Sequence, residues 1–434
     1  MGVDSKSDRR TFLQQAAAAT LVVSVTSPSL ICDRSAESAP KITKGNHEGW
    51  KPTWIKQSDG NKGWILRPAQ VQFLPYSDGK TPYYNQKLNQ LMPFGLVHMD
   101  NREIALIGAW TDKSEKWPRN QHPVIAFSQD QGESWTPFEN IESKGCHGRP
   151  MMLTDLGKGH LMFQTESEPI RQFYSFDYGR TWPEQRPLQL ASNGLKFSVE
   201  GNALVDRNFH GVATRIGAIG YNYPKMRSFP KDPAVAMLRW SKDGGQTWVN
   251  ETQPGWGWQE QYQGRTYRHG TGEGSIIRAK NGWLVAALRT DMPVVFYPYH
   301  NDNLMGIGVS VSKNDGETWT PMQRLYESGR MHTHLVVMPG GEIVLTHIMR
   351  QDVQRGRLVS YRRGAGAVIS YDNGLTWDIR HRHLLGDFEF SDGTPFALAC
   401  GHQSSALLDD GYLLTVFGHY PSKGACLIKW RLSS

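Results

Sequence analysis

One eight-residue pattern, Ser-x-Asp-x-Gly-x-Thr-Trp, recurs five times in this 434-residue chain and constrains its fold more than any bulk property. The copies are Ser128–Trp135 (Ser134 in the Thr position), Ser175–Trp182, Ser241–Trp248, Ser312–Trp319 (Asn314 in the Asp position) and Ser370–Trp377. An Asp or Asn two residues before a Gly makes a tight turn, in which the side chain caps backbone N–H groups and the Gly takes positive φ. The Ser and Thr hydroxyls close further local bonds. The Trp carries a large apolar area away from the turn, into the gap between neighbouring sheets. Each copy therefore reads as a structural hairpin, and its Asp is not a catalytic candidate.

A second repeat accompanies the first. Ser275–Leu288, Leu335–Leu345 and Ala406–Val416 each read as an apolar strand, a Gly-containing turn and a second apolar strand. Such hairpins supply two inner strands, and the octapeptide joins two outer ones. Four-stranded sheets set radially make a β-propeller, an all-β fold. Inner hairpins begin near Leu91, His147, Glu200, Glu273, His332 and His402, which predicts six blades, with seven as the alternative. The last blade has no octapeptide, and its outer strand is expected from the stretch Trp50 to Phe73. The 44 Gly and 24 Pro suit a fold with many turns.

The N-terminus reads as a leader. Arg9-Arg10-Thr11-Phe12-Leu13, followed by the small apolar stretch Ala16 to Val25, resembles a twin-arginine export signal and is too short to span a bilayer. Residues 1–45 are thus expected to be signal and linker, and 46–434 a single propeller acting in the periplasm or outside the cell. No other segment is apolar enough to cross a membrane. The net charge of +7 suits an acidic partner, and the lack of a Lys/Arg run argues against nucleic acid. Beyond Cys32 there are Cys146, Cys400 and Cys426, so at most one internal disulfide can form, and their spacing fits no zinc motif.

The octapeptides in this register resemble the Asp-box (BNR) repeats of the sialidase superfamily, over about residues 85 to 434. The stretch Glu273-Gly-Ser-Ile-Ile-Arg-Ala-Lys-Asn-Gly282, with Leu288-Arg289 after it, is similar to the sialidase segment in which a Tyr-activating Glu opens an inner strand and a triad Arg closes its partner. The resemblance implies a glycosidase in which Glu273 and Arg289 meet at one mouth of the channel, with Arg350 as a second triad Arg. Leu91-Met92-Pro93 stands where the family has its first triad Arg, and His402 where it has the nucleophilic Tyr. Asp112 is the candidate for the acid/base Asp.

Other ionisable or aromatic side chains share the central register: His147, Arg149, Glu200, His332, and Tyr221 with Tyr223 in blade three. Groups of this kind facing one another in a concave site can do acid/base work on a charged sugar. Each also has a structural reading. Glu200 could accept backbone bonds, Arg149 could pair with a neighbouring carboxylate, and His334 could pack between blades. The histidines show no short metal-binding spacing, so neither metal nor cofactor is expected. Aromatics in the loop Thr252 to Gly272, and from Phe296 to His300, suit sugar faces.

Three functions follow from these residues. The first is a hydrolase of an acidic sugar, with Glu273, His402, Asp112 and His332 as catalytic candidates and Arg289, Arg350, Arg149, His147, Glu200, Tyr221 and Tyr223 binding the substrate. The second is a polysaccharide lyase in which His or Tyr removes a proton beside a uronate carboxylate. The third is a non-catalytic glycan-binding propeller.

Overall fold

The computed structural model describes residues 53–56, 64–67, 70–74, 89–112, 121–166, 170–222, 234–255, 259–262, 264–291, 305–350, 352–354, 357–360, 362–389, 401–419 and 424–432. The leader reading of residues 1–45 lies outside them. The described chain is all-β, with six antiparallel blades arranged as a propeller. Blade 1 comprises Asn89–His98, Ile104–Asp112, Gln121–Ser128 and Glu139–Asn140. Blades 2, 4 and 6 open with the inner strands Pro150–Gly157, Gly270–Arg278 and Gln403–Leu407. Blade 5 opens with Arg330–Val337. In blade 3 the inner strand is broken into Ser198–Val199 and Leu204–Arg207, both paired with Ala213–Asn222.

Ring closure follows the expectation in part. Gln70–Leu74 is the outermost strand of blade 6, antiparallel to Gly424–Trp430. The preceding residues do not join it. Thr53–Lys56 and Trp64–Arg67 form a hairpin that extends blade 5, with Trp64–Leu66 parallel to His381–His383. The expected loop before Glu273 contains a further hairpin, Gln259–Tyr262 with Arg265–Arg268.

The core lies between blades. Buried apolar residues fall into six clusters, each drawn from one pair of adjacent blades save for Met305, which reaches from blade 4 into the cluster of blades 5 and 6. A single sheet has two apolar faces, and radial stacking covers both. Of the five octapeptide Trp residues, Trp135, Trp182, Trp248 and Trp377 are buried, each in a cluster shared with the preceding blade, and Trp319 packs half-buried against the cluster between blades 3 and 4. Between blades 5 and 6, where no octapeptide supplies one, the fully buried Trp430 takes that place.

The turn itself is built as its residues require. Ser175 Oγ donates to Asp177 Oδ1 at 2.8 Å and accepts from Gly179 N at 2.8 Å, and Thr181 donates through both N and Oγ1 to Asp177. At Gly132 φ is +87°, and a Cβ there would stand 2.9 Å from Leu414 of blade 6. The glycine thus serves both the turn and the contact with the next blade. Burial alone would raise the Asp carboxyls, but the hydroxyl and N–H donors outweigh it and hold Asp243 at about 2.

Inner strands are tied to one another near the axis. Leu335 N donates to Ser275 Oγ, Ser405 N to His334 Nδ1, Leu96 N to Ser404 Oγ and Ala203 N to Thr154 Oγ1. His334 is therefore a structural acceptor between blades 5 and 6, and burial pushes its imidazole down to about 4.

Candidate active site

The inner strands lose register where they enter the axis. Bulges fall between Pro93 and Gly95, Pro150 and Met152, Thr271 and Gly274, and Met331 and His334. A bulge re-aims the side chain it carries. Glu273 and His332 sit in two of these bulges, Glu200 in the break of blade 3, and His402 just before its strand. His332 and His402 have φ of 48° and 44°, a left-handed conformation that costs a non-glycine residue about 1–3 kcal/mol. The surrounding fold holds both imidazoles in place against that strain.

Strand starts and hairpin ends meet, as the sequence implies. Arg289 NH1 pairs with Glu273 Oε1 at 2.7 Å, and Arg350 NH2 donates to His332 Nε2 at 3.2 Å. Tyr221 OH donates to Glu200 Oε1 at 3.3 Å, and Arg149 NH1 pairs with Glu166 at 2.8 Å. Across the axis, His332 Nδ1 lies 3.0 Å from Glu200 Oε2 and 3.4 Å from Glu273 Oε2. His402 Nδ1 lies 4.0 Å from Glu200 Oε1, its Nε2 accepts from Arg149 NH2, and its ring packs on Phe94 with centroids 4.3 Å apart. Glu273, His332, His402, Arg289 and Arg350 are all less than a tenth exposed.

The environments of the ionisable groups diverge. Burial first, then the negative charge of Glu273, pushes the Glu200 carboxyl above its ordinary range, against the pull of His332 and Arg149. Glu273 faces a guanidinium. Burial, followed by the positive fields of His332, Arg149 and Arg350, holds the His402 imidazole well below its ordinary value. Because the His402 Nε2 accepts from Arg149, the single proton of that neutral imidazole sits on Nδ1, on the side of Glu200.

That tautomer bears on metals. Donor atoms of Glu200, His332 and His402 lie within 4.8 Å of one another, close enough to share an ion. His402 turns its protonated Nδ1 toward that position, and guanidinium groups lie against both rings, so a cation there would meet positive charge.

Not every expected residue joins the cluster. His147 is exposed and lies before the inner strand of blade 2, which begins only at Pro150. Asp112 ends its strand, but its side chain lies outside the described residues, as do Tyr223 and the aromatics from Phe296 to His300. Three participants were not anticipated. Asp291 accepts from Arg289 Nε at 2.8 Å, Glu166 holds Arg149, and Gln403 donates through Nε2 to the His332 carbonyl at 2.8 Å. Asp291 lies two residues after Arg289 on one strand, so period-two alternation puts both on one face.

No family model and no curated protein sequence matches the chain. Solved structures do. A Dyadobacter fermentans protein described as of unknown function aligns with a TM-score of 0.57 at 17% identity, over 84% of this chain and 99% of that one. The Hadza microbial sialidase Hz136 aligns with a TM-score of 0.52 at 18% identity, over 80% of this chain and 66% of that one. The intramolecular trans-sialidase of Ruminococcus gnavus, solved with oseltamivir carboxylate, gives 0.50 at 12% identity over 80% and 95%. At these identities the likeness is one of fold, and the chain is similar to sialidase propellers.

Proposed function

We propose that the protein is a glycoside hydrolase acting on an acidic sugar, with Glu200 as the proton donor and Glu273 as the carboxylate that meets the anomeric carbon. The observation that carries this reading is the contrast between two neighbouring carboxyls. Glu200 is buried with its affinity for a proton raised, while Glu273 is held against Arg289. Two titratable groups driven apart by their surroundings divide acid and base roles. Glu200 gives its proton to the glycosidic oxygen as the C–O bond breaks. Glu273 forms the bond to the anomeric carbon, and water then displaces it, losing a proton to Glu200.

The two carboxylates reach one imidazole nitrogen, which leaves little room for water between them and favours retention of configuration. Arg149 and Arg350, each steadied by an imidazole, suit a carboxylate or sulfate on the sugar. The twin-arginine-type leader supports action on glycans outside the cytoplasm.

The lyase reading draws on the neutral His402. Its Nε2 lone pair is already given to Arg149 and its Nδ1 carries the proton, so no lone pair is left to abstract one. The test is incubation with sialylated, uronate-rich and sulfated glycans, following reducing ends and ultraviolet absorbance. Reducing ends without absorbance, abolished in Glu273→Gln, support the hydrolase. Absorbance from an unsaturated product overturns it.

A further inference from the structure

The strands of each blade alternate in direction, so the turns of the inner hairpins and the octapeptides emerge on the face remote from Glu273. On that face, between blades 4 and 5, lies a cleft of about 400 Å³. It is lined by the turn Gly340-Gly341, where Gly341 takes a φ of +104°. A Cβ on Gly341 would stand 3.1 Å from Lys280 Cδ, and one on Gly340 2.4 Å from Glu342 Oε2. One wall is Tyr371, a residue 68% exposed. Around it stand Asn373, Asn281 and Glu342.

Three features characterise this cleft. Among the described residues, no hydrogen bond takes up the Tyr371 hydroxyl, the Asn373 amide or the Glu342 carboxylate. Tyr371 also has no ring partner among them, whereas Phe176, at the same octapeptide position in blade 2, packs edge-on against His160 with centroids 4.9 Å apart. Finally, Asn281 and Lys280 are held in place: Asn281 Oδ1 accepts from Trp283 N at 3.1 Å, and Lys280 Nζ donates to the Pro339 carbonyl at 3.3 Å. An open aromatic face flanked by amide and carboxylate groups matches a pyranose ring, which offers axial C–H bonds on one face and hydroxyls at its rim. Lys280 and Glu342 are of opposite sign and Asp378 sets a second carboxylate near Tyr371, so the match is to a sugar without an anionic group.

We propose that this cleft is a second carbohydrate-binding site, remote from the Glu200–Glu273 centre, which stacks a neutral pyranose unit of a glycan chain on Tyr371. The proposal is independent of the chemistry assigned to that centre. It is tested by affinity electrophoresis of the full chain through gels containing galactomannan, xylan or mixed-linkage β-glucan. Wild-type protein, Tyr371→Ala, Tyr371→Phe and Phe176→Ala are compared. The expected result is retardation by at least one polymer, weakened about tenfold in Tyr371→Ala and kept in Tyr371→Phe and Phe176→Ala. Turnover at the Glu200–Glu273 centre should be the same in all four proteins. Free migration of the wild type in every gel, or retardation that persists in Tyr371→Ala, overturns the proposal. Loss in Tyr371→Phe equal to that in Tyr371→Ala overturns the stacking mode.

Discussion

Glu200 and Glu273, from neighbouring blades, reach the same nitrogen: His332 Nδ1 stands 3.0 Å from one and 3.4 Å from the other. Two carboxyls so placed cannot both ionise without cost, and after burial the charge of Glu273 is what raises the Glu200 carboxyl. Replacing either by Gln should lower kcat by roughly two to four orders of magnitude. The variants should differ in one respect. Glycosides with a good leaving group need little protonation, so they should largely rescue Glu200→Gln and not Glu273→Gln. A leaving-group series on both variants checks this.

The raised Glu200 carboxyl sets the sign of the alkaline limb. A donor is active while protonated, so kcat/KM should fall as pH rises through its folded value, above the ordinary glutamate range. The same shift acts on stability. Stability from the protonated buried carboxyl is fully present below the unfolded glutamate value and is lost as pH rises through the folded one. Glu200→Gln should remove that part of the loss, seen as a flatter Tm profile on the alkaline side of the glutamate range.

Buried imidazoles act in the opposite direction. Burial holds His334, His383 and His419 at about 4. The unfolded chain protonates them near about 6.5, so their contribution is present above that pH and is lost as pH falls toward 4. Tm should drop steeply over that interval. His334→Asn keeps an acceptor for Ser405 N without a titrating group, and should make the drop shallower.

Turn residues should affect stability and spare catalysis. Asp177→Ala removes the acceptor for Ser175 and for both donors of Thr181, and should cost about 1–3 kcal/mol with kcat unchanged. Denaturant midpoints set against turnover separate the two effects.

Closure of the ring rests on few residues. Leu74 is 1% exposed and belongs to the cluster between blades 6 and 1. Leu74→Ala should cost about 2–5 kcal/mol. A substitution of equal size on the exposed octapeptide residue Leu375, which is 40% exposed, should cost far less. Thermal melts of the two variants make the comparison.

The propeller was legible because its repeat has a local cause. Ser, Asp, Gly and Trp in this spacing each answer to a hydrogen bond, a positive φ or an interblade contact, and those causes lie within eight residues. The pair Glu273 and Arg289 was legible for a similar reason, since both ends of one hairpin are fixed by strand pairing. What joins Glu200 to His332 is different. It crosses the axis between residues 132 positions apart and depends on how blades are placed around the ring. The exposure of His147 depends on where its strand starts, which the residues before Pro150 do not announce. Tyr371 was hidden by its own motif, because at that position the octapeptide accepts Gln, Phe, Lys or Tyr alike.

The antiparallel pairing of Gln70–Leu74 with Gly424–Trp430 also has a mechanical meaning. Every other junction around the propeller is backed by continuous chain, whereas here only hydrogen bonds and side-chain contacts keep the circle shut. Tension applied across these two strands would fall on that seam. Cutting the chain between two other blades and linking its original ends would move the weak point elsewhere and leave the central residues in the same order around the axis.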